Sequence, residues 1–169
     1  MSDNVVTIDR KQVDNLFRKL DPEKRNEAMM NALKSGAAVL AQKTRSNLKK
    51  GLGKGADTPQ PSRNKNYEWK NKPMVQGVTL NARDTYNTTV QVSIMGDPRL
   101  KWFEKGVEER FRGARKTSSK YRLMKESGKL KSTGSIKRIN FFEAAKQDDS
   151  QITSAIEKTL IKEINEMTL

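Results

Sequence analysis

The chain has 169 residues, with 34 Lys and Arg against 20 Asp and Glu, no Cys and no His, for a formal charge of +14. Those absences exclude disulfide scaffolds, thiolate zinc sites, cysteine nucleophiles and any mechanism with a histidine base. Only 34% of residues are apolar, which predicts one modest core in a single domain, residues 1–169, with much of the chain solvated or ordered by partners. No apolar run is long enough to span a membrane, and Met1-Ser2-Asp3-Asn4-Val5-Val6 lacks the layout of a signal peptide, so the chain reads as a soluble protein made in the cytoplasm.

Two helices are predicted first. Val13, Leu16, Phe17 and Leu20 recur at helical spacing behind Asp9 as N-cap, with Gln12 three residues on. Asp21-Pro22-Glu23 then supplies an N-cap, a proline at the first helical position and an early carboxylate. From there Met29, Leu33, Ala37, Leu40, Ala41, Thr44 and Leu48 form one stripe, with Gly51 as the stop. Residues 51–73 carry three glycines and three prolines without period, which is loop chemistry.

Val78, Leu80 and Ala82, then Val90, Val92 and Ile94, alternate with polar residues around a connection at Arg83 to Asn87. Period two on both sides predicts an antiparallel hairpin with one buried face. Asp97 and Pro98 start a short helical turn through Leu100 and Phe103, ended by Gly106, with Trp102 and Phe103 expected in the core. Val107 to Lys137 fits no template well, apart from a turn of helix at Lys120 to Glu126. Ile136 to Phe142 suggests a third strand, and Asp148-Asp149-Ser150 caps a last helix with Ile152, Ile156, Leu160, Ile164 and Met167 on one side. The fold class expected is α+β: a small antiparallel sheet packed against a long N-terminal helix and a C-terminal helix, with two long extended loops, 51–73 and 105–138.

Charge is unevenly placed. Residues 105–138 hold twelve basic and three acidic side chains, a net of +9, whereas residues 74–104 are neutral and residues 139–169 carry −3. Such a run is either a solvated loop, a contact for phosphates, or an arm ordered by neighbouring chains. Its apolar content is too small to order it alone, which favours the arm. Interleaved Phe111 and Tyr121 are sparse for base stacking. In the other loop, Tyr67 and Trp69 either pack on their own sheet or anchor a neighbouring subunit.

Enzymatic chemistry finds little support. Gly51-Leu52-Gly53-Lys54-Gly55 follows a helix and precedes a proline-rich coil, the wrong setting for a phosphate loop. Asp84, Asp97, Glu104, Glu108 and Glu109 show no spacing that converges them on the metals of a nuclease. No enzyme, metal or cofactor is expected.

The long small-residue helix Ala32-Leu33-Lys34-Ser35-Gly36-Ala37-Ala38-Val39-Leu40-Ala41 is followed in order by the loop, the hairpin, Trp102-Phe103-Glu104-Lys105-Gly106, the basic stretch, Asn140-Phe141-Phe142-Glu143-Ala144-Ala145 and a closing helix. This order resembles the neck or tail-completion (head–tail joining) proteins of long-tailed double-stranded DNA bacteriophages, over roughly residues 25–167. It departs from the family pattern at Lys105 and Val107 and in lacking prolines around Phe141. The resemblance implies a non-enzymatic virion protein in a homo-oligomeric ring at the head–tail connector. Its partners there are a portal adaptor or head-closure protein and a tail terminator or tail tube, around packaged DNA and with no membrane.

On that reading the subunit or partner interface includes Tyr67, Trp69, Phe111, Arg112, Arg115, Tyr121, Arg122, Glu157 and Glu163, the acidic last helix meeting a neighbour's basic arm. Lys116, Lys120, Lys125, Lys129 and Lys131 supply charge toward the DNA channel. The alternative is a sequence-nonspecific nucleic-acid-binding protein that stays small on its own.

Overall fold

A computed structural model describes residues 21–59, 71–83, 89–94, 96–112 and 117–168. The predicted first helix, the connection after Arg83, and Tyr67, Trp69, Arg115 and Lys116 lie outside those residues. The fold is α+β: helices α1 (Pro22–Leu52), α2 (Pro98–Lys105), α3 (Ser119–Glu126), α4 (Phe141–Lys146) and α5 (Asp149–Thr168), with strands β1 (Thr79–Arg83), β2 (Thr89–Ser93), β3 (Val107–Phe111) and β4 (Ser132–Ile136). Where one sheet was expected there are two, β1 with β2 and β3 with β4.

The chain divides into two compact units, one of Met1–Val39, Asn81–Gln91 and Asp149–Leu169, the other of Leu40–Leu80 and Val92–Asp148. In the first, the opening half of α1 runs antiparallel to α5. The Ser35 hydroxyl lies within donating distance of the Ala155 carbonyl (3.0 Å) and the Ala32 carbonyl (2.8 Å), and accepts from Thr159 Oγ1 (2.9 Å). One turn back, Asn31 Nδ2 donates to Glu163 Oε1 (3.2 Å).

The buried line of α1 here is Ala28, Ala32 and Gly36, not the predicted Met29, Leu33 and Ala37; Met29 is 40% exposed. Close approach of α5 is the reason, because only the smallest side chains fit between the two backbones. A Cβ placed on Gly36 would sit 2.4 Å from Ile156 Cγ1 and 3.3 Å from the Ile152 carbonyl oxygen. Gly36→Ala is therefore expected to lose about 1–2 kcal/mol, even though alanine gains about 1 kcal/mol in helix propensity. Urea unfolding followed by circular dichroism checks this, and a neutral or stabilising result would show that the helix pair has slack.

The second unit is built around Ala41, Leu48, Ala56, Met74, Val78, Leu100 and Phe141, with Leu52, Val92, Ile94, Phe103 and Ile139 packed against them. Its half of α1 follows the predicted stripe, with Ala41, Thr44 and Leu48 fully buried. The helix is fastened from both sides by polar contacts. Arg45 donates to the Val78 carbonyl (2.7 Å), Asn47 to the Phe141 carbonyl (3.3 Å), and Lys43 pairs with Asp148. α1 runs one residue past the expected stop at Gly51 and ends in a 3-10 turn, Gly53–Ala56.

The hairpin expected at Val78 to Ile94 is present as β1 and β2, but its buried face is short. Val78 is buried while Leu80 and Ala82 are exposed. Asp97 caps α2 as predicted, its Oδ1 accepting from the Arg99 amide (2.9 Å).

The predicted third strand, Ile136 to Phe142, is a correction. Only Ile136 ends a strand, and that strand pairs with β3; Asn140 then turns the chain at φ 59°, and Phe141 and Phe142 open α4. Trp102 is a second one, since it is 45% exposed instead of core, with the Arg110 guanidinium 5.7 Å from its ring. Solvating its face costs little when a cation covers it.

Candidate interaction arm

In the basic stretch the helix expected at Lys120 to Glu126 is present as α3, and the strands β3 and β4 on either side of it correct the expectation that no other template fits. Strand β3, helix α3 and strand β4 form one arm within the second unit, and they divide into a root, a stem and a tip.

The root is where the chain leaves and re-enters the core. Glu104, in the last turn of α2, is only 6% exposed, and its carboxylate accepts two backbone hydrogen bonds from across 38 and 39 residues of chain. Oε2 takes the Phe142 amide (2.9 Å) and Oε1 the Glu143 amide (3.1 Å). These are orphan donors of the first turn of α4, whose own N-cap residue, Asn140, makes no side-chain cap. A carboxylate at that end also answers the positive end of the helix. Alongside, Ile139 N–H donates to the Phe103 carbonyl (2.8 Å). Gly106 sits at φ 75°, where a Cβ would lie 3.1 Å from Arg138 N and the Ile136 oxygen. The two segments Trp102–Gly106 and Asn140–Ala145, separate in sequence, are thus one joint.

The stem is the antiparallel pair β3 and β4, with Val107 opposite Ile136, Arg110 opposite Gly134 and Phe111 opposite Ser132, and irregular register between them. Thr133 Oγ1 donates to the Arg110 carbonyl (3.1 Å), and Arg112 N–H extends the pairing to the Lys131 carbonyl (3.0 Å). The tip carries α3, capped by Ser118, whose hydroxyl accepts from the Tyr121 amide (3.2 Å). Tip and stem are joined by Phe111 and Tyr121, packed edge to face with ring centroids 5.3 Å apart.

From residue 107 to 135 no residue is buried among those described, and Leu123 is 66% exposed. An ordered strand–helix–strand that contributes nothing to its own core has its surface free for something else.

Phe111 and Tyr121 are half-buried against each other, and Tyr121 also lines an open pocket of about 360 Å³ with Ser118, Arg122 and Lys125. Arg112, Lys120, Arg122, Lys125, Lys129 and Lys131 are all exposed. The acidic residues expected at an interface are placed in the other unit. Glu163 is already held by Asn31 within the α1–α5 pair, and Glu157 keeps one buried oxygen with no partner among the described residues. Asp97 and Glu104, weighed above as metal ligands, are engaged by Arg99 and by the α4 amides. Trp102 is a surface residue that sequence reasoning missed. It lines an open groove of about 450 Å³ with Leu52, Met74 and Phe103. No signal in the sequence separates it from Phe103, its core-facing neighbour.

Among the described residues no helix is long and apolar enough to cross a membrane. No family model, curated protein or solved structure matches the chain.

Proposed function

We propose that the protein is a structural component of a bacteriophage head–tail connector, a neck or tail-completion subunit that assembles into a homo-oligomeric ring around the DNA channel, with neck proteins above and below. The single observation that carries this reading is the arm of residues 107–136. Its described residues form a basic strand–helix–strand anchored at both ends, and none of them is fully buried, Ile136 at its end lining the open groove beside Trp102. A subunit that spends nearly a fifth of its chain on such an appendage is built to be completed by neighbours in a closed assembly. The joint between Trp102–Gly106 and Asn140–Ala145 supports the same reading, because the two segments that carry the family resemblance meet there through Glu104.

The test is light scattering and particle imaging of the purified chain without nucleic acid, at low and moderate salt. A ring is expected under both conditions, and a variant with residues 108–135 replaced by a two-residue turn is expected to remain folded but fail to close the ring. A wild-type protein that stays monomeric at all salt concentrations, and with virion neck proteins present, would sink the proposal.

A further inference from the structure

The arm's charge is not spread along it. The stem holds Glu108, Glu109 and Arg110 on β3 and no charged residue on β4, so it is nearly neutral. The tip, from Arg112 and then Thr117 to Lys131, exposes six cations, Arg112, Lys120, Arg122, Lys125, Lys129 and Lys131, against Glu126 alone. None of the six pairs with a carboxylate among the described residues; elsewhere Lys43 pairs with Asp148, Lys49 with Asp57, Lys146 with Glu143 and Lys162 with Glu166.

We propose that the tip, residues 112 and 117–131, is a phosphate-backbone contact for double-stranded nucleic acid that reads no bases, and that the nearly neutral stem holds it away from the core and is the part of the arm left to meet neighbouring subunits. The identification rests on the connector reading for where the nucleic acid lies, but not for the binding itself. Three observations select this partner. First, unpaired cations concentrated on one short helix and its flanks suit a dense line of phosphates, where binding releases counterions. Second, the arm holds only two aromatic rings, Phe111 and Tyr121, packed edge to face on one another, in place of the row of rings on which successive unpaired bases stack. Third, three acidic residues of α5 are engaged within their own chain. Glu163 is bonded to Asn31, Glu166 is paired with Lys162, and Glu157 has an oxygen buried.

The arrangement makes the tip separable from the stem by substitution. Lys120, Arg122 and Lys125 are exposed on α3, where alanine is the most favourable helix residue. Arg110 is the stem's own cation and lies over Trp102.

The experiment measures binding of the full-length chain to short mixed-sequence duplex DNA between 50 and 200 mM salt. Six phosphate contacts predict an affinity loss of about a thousandfold across that range. Lys120→Ala/Arg122→Ala/Lys125→Ala is expected to lose only about fortyfold over the same range, its log–log slope being shallower by about 2.7. Arg110→Gln is expected to keep the wild-type slope. Should the triple variant lose helix by circular dichroism, Lys129→Gln/Lys131→Gln, outside α3, tests the same point with a slope shallower by about 1.8.

Three results overturn the proposal: no duplex binding at 50 mM salt, an unchanged slope in the tip variants, or base-dependent preference for single strands. A tip variant that stops self-associating without DNA while still binding duplex with the wild-type slope would also overturn it, and would assign the tip to a protein neighbour. Light scattering without DNA keeps the two readings apart. A ring that ignores duplex refutes the tip contact alone, and a monomer that binds duplex refutes the connector alone.

Discussion

Replacing Asp97 by alanine is expected to cost about 3–5 kcal/mol, among the largest effects of any single substitution in this chain. Asp97 has no exposed surface, and its carboxylate is gripped by Arg99 side on. Nε lies 3.0 and 2.9 Å from the two oxygens and Nη2 2.6 Å from Oδ2, while the Arg99 amide adds a cap bond at 2.9 Å. The same Arg99 reaches the Lys72 carbonyl at 3.4 Å, tying the segment before a 3-10 turn at Met74–Gly77 to the start of α2. Removing the carboxylate takes away the cap and strands a guanidinium whose side chain is only 16% exposed. Urea unfolding followed by tryptophan fluorescence reads the loss. Asp97→Asn, which keeps a cap acceptor, should lose less, and adding Arg99→Met to Asp97→Ala should restore part of it. If the single and double variants were equally unstable, the pair would not be the cause.

Glu104→Ala is expected to cost about 3 kcal/mol, since two charge-assisted bonds to part-buried backbone donors vanish together. Phe142 and Glu143 would be left with amides that nothing else among the described side chains answers. The diagnostic reading is local: hydrogen exchange at those two amides should accelerate by more than the global loss of stability explains. Glu104→Gln offers one acceptor where there were two, so one of the two amides should stay protected. Wild-type protection in Glu104→Ala would mean that α4 is held by Phe141 in the core and not by the carboxylate. In the connector reading, the same substitution loosens the seat of the arm and should weaken ring closure.

How much of this was legible in the sequence follows from where burial leaves a trace. Most of α1, α2 with its Asp97 cap, and α5 are written as apolar spacing and capping residues, and all three appear where expected. The stem strands left no such trace. Alternation in a strand records one face being buried, and Val-Glu-Glu-Arg-Phe against Ser-Thr-Gly-Ser-Ile buries neither. Phe141-Phe142 reads as strand because two adjacent aromatics have strong β preference. What makes it helix is a carboxylate 38 residues earlier, and no local window contains that partner.

The tip cations were visible as composition, but their separation from the stem was not. That division exists only once β3 and β4 are known to pair. The use of Glu163 inside its own chain was equally hidden, because it depends on the register of α5 against α1. Charge reversal at Glu163 would therefore disturb the helix pair before it reported on any neighbour.

The pairing of Val107 with Ile136, beside Gly106 pressed on Arg138, places the entry and exit of the arm side by side. An insertion whose ends already touch adds almost no loop-closure entropy to the body that carries it. Its length and composition are then free to drift, or to be exchanged wholesale, while Trp102–Gly106 and Asn140–Ala145 stay bound to one another. Related chains should accordingly differ most in what lies between those two segments. A chimera that takes the whole interval from a relative should fold on this body and inherit the donor's partner.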